Sequence, residues 1–291
     1  MKKLLLLLFI SLSNTLHAQD FPDMRSWSLY ADSTERYIFA DTAFVRLTPD
    51  TKQAPIDTLL AGDNITIIST TPNALTIRGL RGPWLQVSYQ KNGEAKNGYI
   101  WQGLVSCAPM RRGDIKFVYG IERRADSAYT SDQGKDTMRR YLVRLKVIQN
   151  GSILAKTAFV TDDDESANFS MGKVMSGMGL TNVQHIVVVT FSGEACAIPT
   201  YDYYFALTKD NQLVRLPEKT NIGDAGVFYH AESFTFPNEK NGKPDMMIWD
   251  MVEEEATEKL DKDGNEILKV TGKKTVNYTW DAVNSKFTAL K

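Results

Sequence analysis

Charge of one sign, cysteine, histidine and long apolar runs are all scarce in this chain of 291 residues. The formal net charge is −1, which gives no electrostatic reason to expect nucleic acid or an anionic membrane as partner. After Ile10 no segment approaches the ~20 apolar residues that a bilayer-spanning helix needs. No G-x-S-x-G, H-E-x-x-H or Gly-Lys phosphate loop occurs, so the common serine-hydrolase, zinc-peptidase and nucleotide-binding signatures are missing. A carboxylate-pair glycosidase would leave no local spacing to read. Proline numbers 10 and glycine 19, against 43% hydrophobic residues, which suits an ordinary globular chain with enough bulk for a core.

What is present starts with MKKLLLLLFISLSNTLHAQ. Lys2 and Lys3 precede an apolar run from Leu4 to Ile10, and Leu16-His17-Ala18 supplies a small residue for cleavage after Ala18. The expectation is a signal peptide over 1–18 and an exported protein, periplasmic or extracellular; a short buried N-terminal helix is the bland alternative. No cysteine follows the cut, so no lipid anchor is expected. Loss of the leader takes Lys2 and Lys3 with it and moves the net charge from −1 to −3.

Residues 19–36 show little periodicity and read as an extended arm, with Trp27 and Tyr30 able to pack on the first domain. From Tyr37 short strands alternate with turn signals: YIFA, FVRL, DTLLAGDNITIIS, WLQVSY, then a turn KNGEAKNG and the strand YIWQGLVS. Strands of this length and spacing predict a small all-β unit over 37–108. Gly62 suits a tight turn, and Gly98 a close backbone approach.

Four ordered pieces, FVRLTPD, LLAGDNITII, GPWLQVSY and NGYIWQGLV, together resemble bacterial SH3-like (SH3b) domains over about Phe44–Ser106. The stretch 70–82 is longer than that pattern and reads as an inserted hairpin. The resemblance implies a small barrel that binds peptide, cell-wall glycopeptide or an envelope protein, and it does not imply catalysis. Trp101, Tyr99 and Tyr89 are the candidate aromatic contacts of such a groove, because Ile100 is the natural core member and Trp101 must face the other way. Trp84 is read as core, the alternative being a place in the same groove with those three.

A boundary is expected near CAPMRRGD, followed by a β-rich C-terminal domain over 109–291, either a sandwich or propeller-like. Its clearest signal is YLVRLKVIQ–NG–SILAKTAFV, two extended runs around Asn150-Gly151, the favoured type I′ hairpin. HIVVVTF is a buried strand, YDYYFAL–TKDN–QLVRL a hairpin, and MMIWDMV, EILKV and TVNYTWD further strands. MGKVMSGMGL at 171–180 reads as a short helix or a loop. The fold class is therefore all-β: a small SH3-like barrel followed by a larger antiparallel β-rich domain.

Three candidate sites remain. PNEKNGKPDMMIW is similar to the calcium loops of FG-GAP-type propeller repeats, which implies Glu239, Asn241 and Asp245 as metal ligands and Ca²⁺ as the one cofactor to consider. The acidic runs 162–165 and 261–266 are read as turns rather than ion sites. Cys107 and Cys196 either pair, stapling the two domains, or remain separate thiols. His230, with Glu232 near it, and Cys196 are the residues a cell-wall or polysaccharide hydrolase would use, as the alternative to a non-catalytic binding protein.

Overall fold

The protein is described from a computed structural model over residues 34–132 and 134–290. The signal-peptide segment 1–18 and most of the arm, with Trp27 and Tyr30, lie outside the described residues. The class is all-β: the described residues form twenty-one strands, β1 to β21, joined by turns and two short 3-10 turns. Among the described residues no helix is long and apolar enough to cross a membrane.

The N-terminal unit is a six-stranded half-barrel in the order β1-β4-β5-β6-β2-β3. Its strands are β1 (Thr34–Tyr37), β2 (Thr42–Arg46), β3 (Pro55–Leu60), β4 (Asn64–Ile77), β5 (Leu80–Lys91) and β6 (Glu94–Trp101). The end of the expected arm is thus a strand, paired to β4 from Thr34↔Ile67 to Tyr37↔Asn64. The alternation along β5 and β6 sends Leu85, Val87, Tyr89 and Ile100 to the inside, where they meet Ile38, Val45, Leu59, Ile65 and Ile67 in a core of their own. The long stretch 70–82 is a hairpin, as its length suggests: β4 and β5 extend to a two-residue turn at Arg78 (φ 53°) and Gly79 (φ 77°). The expected turn over 91–98 shrinks to Asn92-Gly93, and β6 already begins at Glu94.

After the half-barrel come β7 (Met110–Arg112), β8 (Ile115–Arg124), β11 (Arg140–Gln149) and β12 (Ser152–Asp162), in the order β12-β11-β8-β7. Asn150 (φ 51°) and Gly151 (φ 74°) make the anticipated two-residue turn between β11 and β12. The intervening β9 (Ser127–Ser131) and β10 (Gly134–Met138) form a separate two-stranded ribbon with almost every residue exposed.

The third sheet has nine strands, in the order β13-β14-β15-β17-β18-β19-β20-β21, with β16 also on β15. They are β13 (Phe169–Ser176), β14 (Val183–Ser192), β15 (Thr200–Thr208), β16 (Leu213–Arg215), β17 (Lys219–Asp224), β18 (Phe228–Thr235), β19 (Met246–Leu260), β20 (Glu266–Asp281) and β21 (Lys286–Ala289). Much of the Gly- and Met-rich run 171–180 is strand β13, neither helix nor loop: its backbone completes the edge of β14, and the missing side chain of Gly172 leaves room for the Met110 thioether. EILKV and TVNYTWD are one strand, β20. A single continuous sheet replaces the propeller alternative; the sandwich alternative describes how it packs.

β14 and β15 are buried on both sides. Val187, Val189, Phe191, Tyr203, Phe205 and Leu207 face the four-stranded sheet, meeting Phe117, Tyr119, Val143, Leu145, Val147 and Phe159. Phe159 sits 4.5 Å from the Tyr203 ring and 5.2 Å from the Phe205 ring between centroids. Ile186, Val188 and Ala206 face the other way, into a cluster closed by Phe236, Met247 and Trp280. The first of these two clusters does not stop at residue 109: Leu80, Trp84, Trp101 and Cys107 of the N-terminal unit belong to it. A further small cluster, Tyr37, Phe39, Ala61, Val118 and Ile148, joins the half-barrel to the outer face of the four-stranded sheet. At residues 107–114 the chain passes from the half-barrel to the four-stranded sheet, beside a cluster to which both contribute.

Candidate binding cleft

Where the half-barrel meets the outer face of the four-stranded sheet, the apolar contact gives way to a polar cleft of about 460 Å³. The alternation of β11 explains its wall. Tyr141, Val143, Leu145 and Val147 point into the large core, so Arg144 and Lys146 must point outward. Leu142 and Val143 of β11 pair with Arg123 and Ile121 of β8, which leaves Glu122 as the extra residue of a bulge. Its carboxylate accepts from Arg144 Nε at 2.6 Å. The rest of the lining comes from the segment Phe39–Thr42, from Trp101, Gly103 and Leu104, and from Ile77 and Arg78 at the hairpin tip.

Lys146 is buried although it is a lysine. Its ammonium donates to Phe39 O at 2.6 Å and to Asp41 Oδ1 at 2.7 Å, and lies 4.8 Å from the Phe39 ring centroid. The hydrogen bond from Lys146, and then its charge, hold the Asp41 carboxyl below the usual carboxylate range. Phe39 can lie flat on β8 because Gly120 offers no Cβ; one placed there would come within 2.7 Å of the ring. At the far end the hairpin tip is docked, not free: Arg124 N donates to Arg78 O, and the Arg124 side chain packs on Gly79.

The three aromatic residues expected in a groove do not converge, and two of them are core. Tyr89 faces the half-barrel interior, 3% exposed, with its hydroxyl towards Asp57; burial, then the Asp57 charge, push the phenol up to about 12. Its parity with Leu85 and Val87 on β5 decides this. Trp101 does face away from Ile100, but that side is covered by the rest of the protein, leaving it 4% exposed. Its indole N–H is shared between Leu75 O at 2.9 Å and Gly82 O at 3.0 Å, which fastens the ring beneath the long hairpin. Gly103 lies directly on the ring. Tyr99 is half-buried against the same cluster. Trp84 is core as expected, though on the Trp101 side of the sheet and opposite it in register. Of the three candidates, Trp101 alone lines the cleft.

Glu239, Asn241 and Asp245 lie in the turn before β19, and both carboxylates serve the chain itself. Glu239 accepts from Phe236 N at 2.7 Å; Asp245 accepts from Thr181 N and Oγ1 at 2.7 and 2.9 Å, tying two loops together. No group of three or more His, Cys, Asp or Glu side chains placed to share a cation occurs among the described residues. Asp162, Asp163 and Asp164 bind Arg140, Arg124 and Ser166, and Asp261 accepts from Asp263 N and Asn265 N, so both acidic runs behave as turns.

Cys107 and Cys196 are separate free thiols, so the interdomain bridge is not formed. Cys107 is sealed in the core, where burial pushes its thiol up to about 12, whereas Cys196 sits exposed on the loop between β14 and β15. Cys196 and His230 both line one open groove. Yet each His230 nitrogen already meets a carboxylate: Nε2 lies 3.0 Å from Glu232 and Nδ1 3.1 Å from Glu253. Those hydrogen bonds, Glu232 first, raise the His230 pKa against a smaller effect of burial. With a carboxylate on each nitrogen, the ring bridges β18 and β19, and both nitrogens are engaged away from the thiol.

Asp41, Arg78, Glu122, Arg144, Lys146 and Lys156 carry no signature of residue type or motif in the sequence. The nearest signal is the hairpin turn of β11 and β12. But the Asn150-Gly151 turn alone would set Lys146 opposite Ala155; a bulge between Val147 and Ile148 shifts the register and brings Lys146 opposite Lys156, and no local pattern announces that bulge. The chain as a whole matches no protein-family model, no curated protein and no solved structure.

Proposed function

We propose that this is a non-catalytic, exported binding protein, periplasmic or extracellular, which takes a peptide, a cell-wall glycopeptide or a segment of an envelope protein into the cleft between the half-barrel and the four-stranded sheet. One observation carries the reading. The cleft is lined by apolar side chains, Phe39, Trp101 and Leu104, together with six charged ones, the composition of a recognition site. The SH3-like resemblance and the leader-like N-terminus support the binding role and the compartment. The test is titration of the full mature chain with muropeptides and short peptides, following the Trp101 indole resonance. A saturable shift is expected, and an unmoved indole with every ligand overturns the cleft as the site. Export predicts Gln19 as the first residue of protein recovered outside the cytoplasm.

The second reading, a hydrolase in the C-terminal domain, is favoured by the shared groove of Cys196 and His230. It requires that Cys196→Ala abolish a measurable cleavage of wall or polysaccharide material. The double hold on His230 argues for the binding role instead.

A further inference from the structure

The charges of the cleft do not cancel. Four cations, Arg78, Arg144, Lys146 and Lys156, face two acids, Asp41 and Glu122. Glu122 is taken by Arg144, and Asp41 by Lys146. Neither the Arg78 guanidinium nor the Lys156 ammonium forms a hydrogen bond or ion pair among the described residues. Both positions are also poor choices for the fold alone. Lys156 on β12 stands directly opposite Lys146 on β11. Like charges in that relation destabilise a sheet. Arg78 occupies the first position of a turn whose two residues both have positive φ, where Asn, Asp or Gly is favoured and a long side chain is strained. The docked tip nevertheless holds Arg78 at the end of the cleft.

We infer that the cleft is an anion site, and that Arg78 and Lys156 receive the carboxylate of an organic ligand, such as the free C-terminal end of a peptide, whose apolar part lies along Phe39, Leu104 and the edge of Trp101. This rests on reading the cleft as the binding site and names the chemistry it selects. A planar guanidinium can pair with both carboxylate oxygens, and a lysine adds a point charge beside it. The bound carboxylate would also relieve the repulsion between Lys146 and Lys156.

The experiment titrates the full mature chain with three probes: an N-acetylated dipeptide ending in a free carboxylate, the same dipeptide as its amide, and inorganic phosphate. The readout is the Trp101 indole N–H resonance. The acid is expected to shift it saturably, with at least about tenfold lower affinity in Arg78→Asn and Lys156→Gln. Both variants are expected to melt at or above the parent temperature, because one suits the turn and the other removes the like-charge pair. Affinity for the acid should fall as salt rises. Equal shifts by acid and amide would keep the cleft as a binding site and overturn the anion inference. A response to phosphate alone would overturn the carboxylate. Silence with all three probes would overturn the inference together with the site.

Discussion

His230 and His185 carry opposite dependence on pH. His230, held between Glu232 and Glu253, has its pKa raised in the folded state. Its contribution is therefore complete below the unfolded value of about 6.5 and is lost as pH rises through the folded value. His185, beside the Phe117 ring and near Arg112, has its pKa lowered, first by burial. Its penalty appears as pH falls below about 6.5. Melting temperature against pH should accordingly decline on the alkaline side of about 6.5, and His230→Gln should flatten that limb alone. A parent curve already flat between about pH 6.5 and 9 would contradict the raised His230 pKa. The thiols give a second residue-scale check. One equivalent of thiol should react with Ellman's reagent in the native protein and two after unfolding without reductant, since only Cys196 is exposed. A bridged pair would give none in either state.

Among the elements, the joint between β8, β11 and the segment Phe39–Asp41 is where single changes should cost most. Gly120→Ala drives a methyl into the Phe39 ring, and about 1–3 kcal/mol of stability should be lost in denaturant unfolding. Lys146→Met removes the donor that satisfies the buried Phe39 carbonyl and should cost a similar amount, about 1–3 kcal/mol. If either variant unfolds like the parent, the joint is looser than its distances imply. The elements that sequence reading located well are those with local signals: the Asn150-Gly151 hairpin, the unbroken apolar strand β14, and the long β4–β5 hairpin. The run 171–180 misled because its Gly and Met residues fit helix, loop or strand alike, and only pairing to β14 decides it. Trp101 misled differently. Alternation correctly assigned it to the face opposite Ile100, but no local pattern says whether that face meets water or another sheet. The cleft charges were invisible for the same reason: Asp41 and Lys146 are more than a hundred residues apart.

At the scale of the whole molecule, the cluster containing Trp84, Trp101 and Cys107 ties the half-barrel to both other sheets. The half-barrel has its own interior, yet residues 37–108 alone would expose Leu80, Trp84 and Trp101 on its back face. That fragment should be aggregation-prone and bind a hydrophobic dye, while the full chain should unfold in one main transition by both fluorescence and circular dichroism. Two well-separated transitions would instead mark two independently folding domains with a boundary near residue 109.

The ribbon of β9 and β10 stands outside every one of these clusters. Its side chains are almost all exposed, and a two-stranded ribbon is at best marginally stable by itself. Limited trypsin digestion should therefore strike there first, after Lys135 or Arg139. The two pieces would stay together as a nicked molecule, because β8 and β11 on either side of the cut remain zipped from Ile115↔Gln149 to Arg124↔Tyr141. Separation on a denaturing gel but co-elution on a sizing column would be its signature, and the ribbon is accordingly the natural place to insert an affinity tag or a fluorescent label.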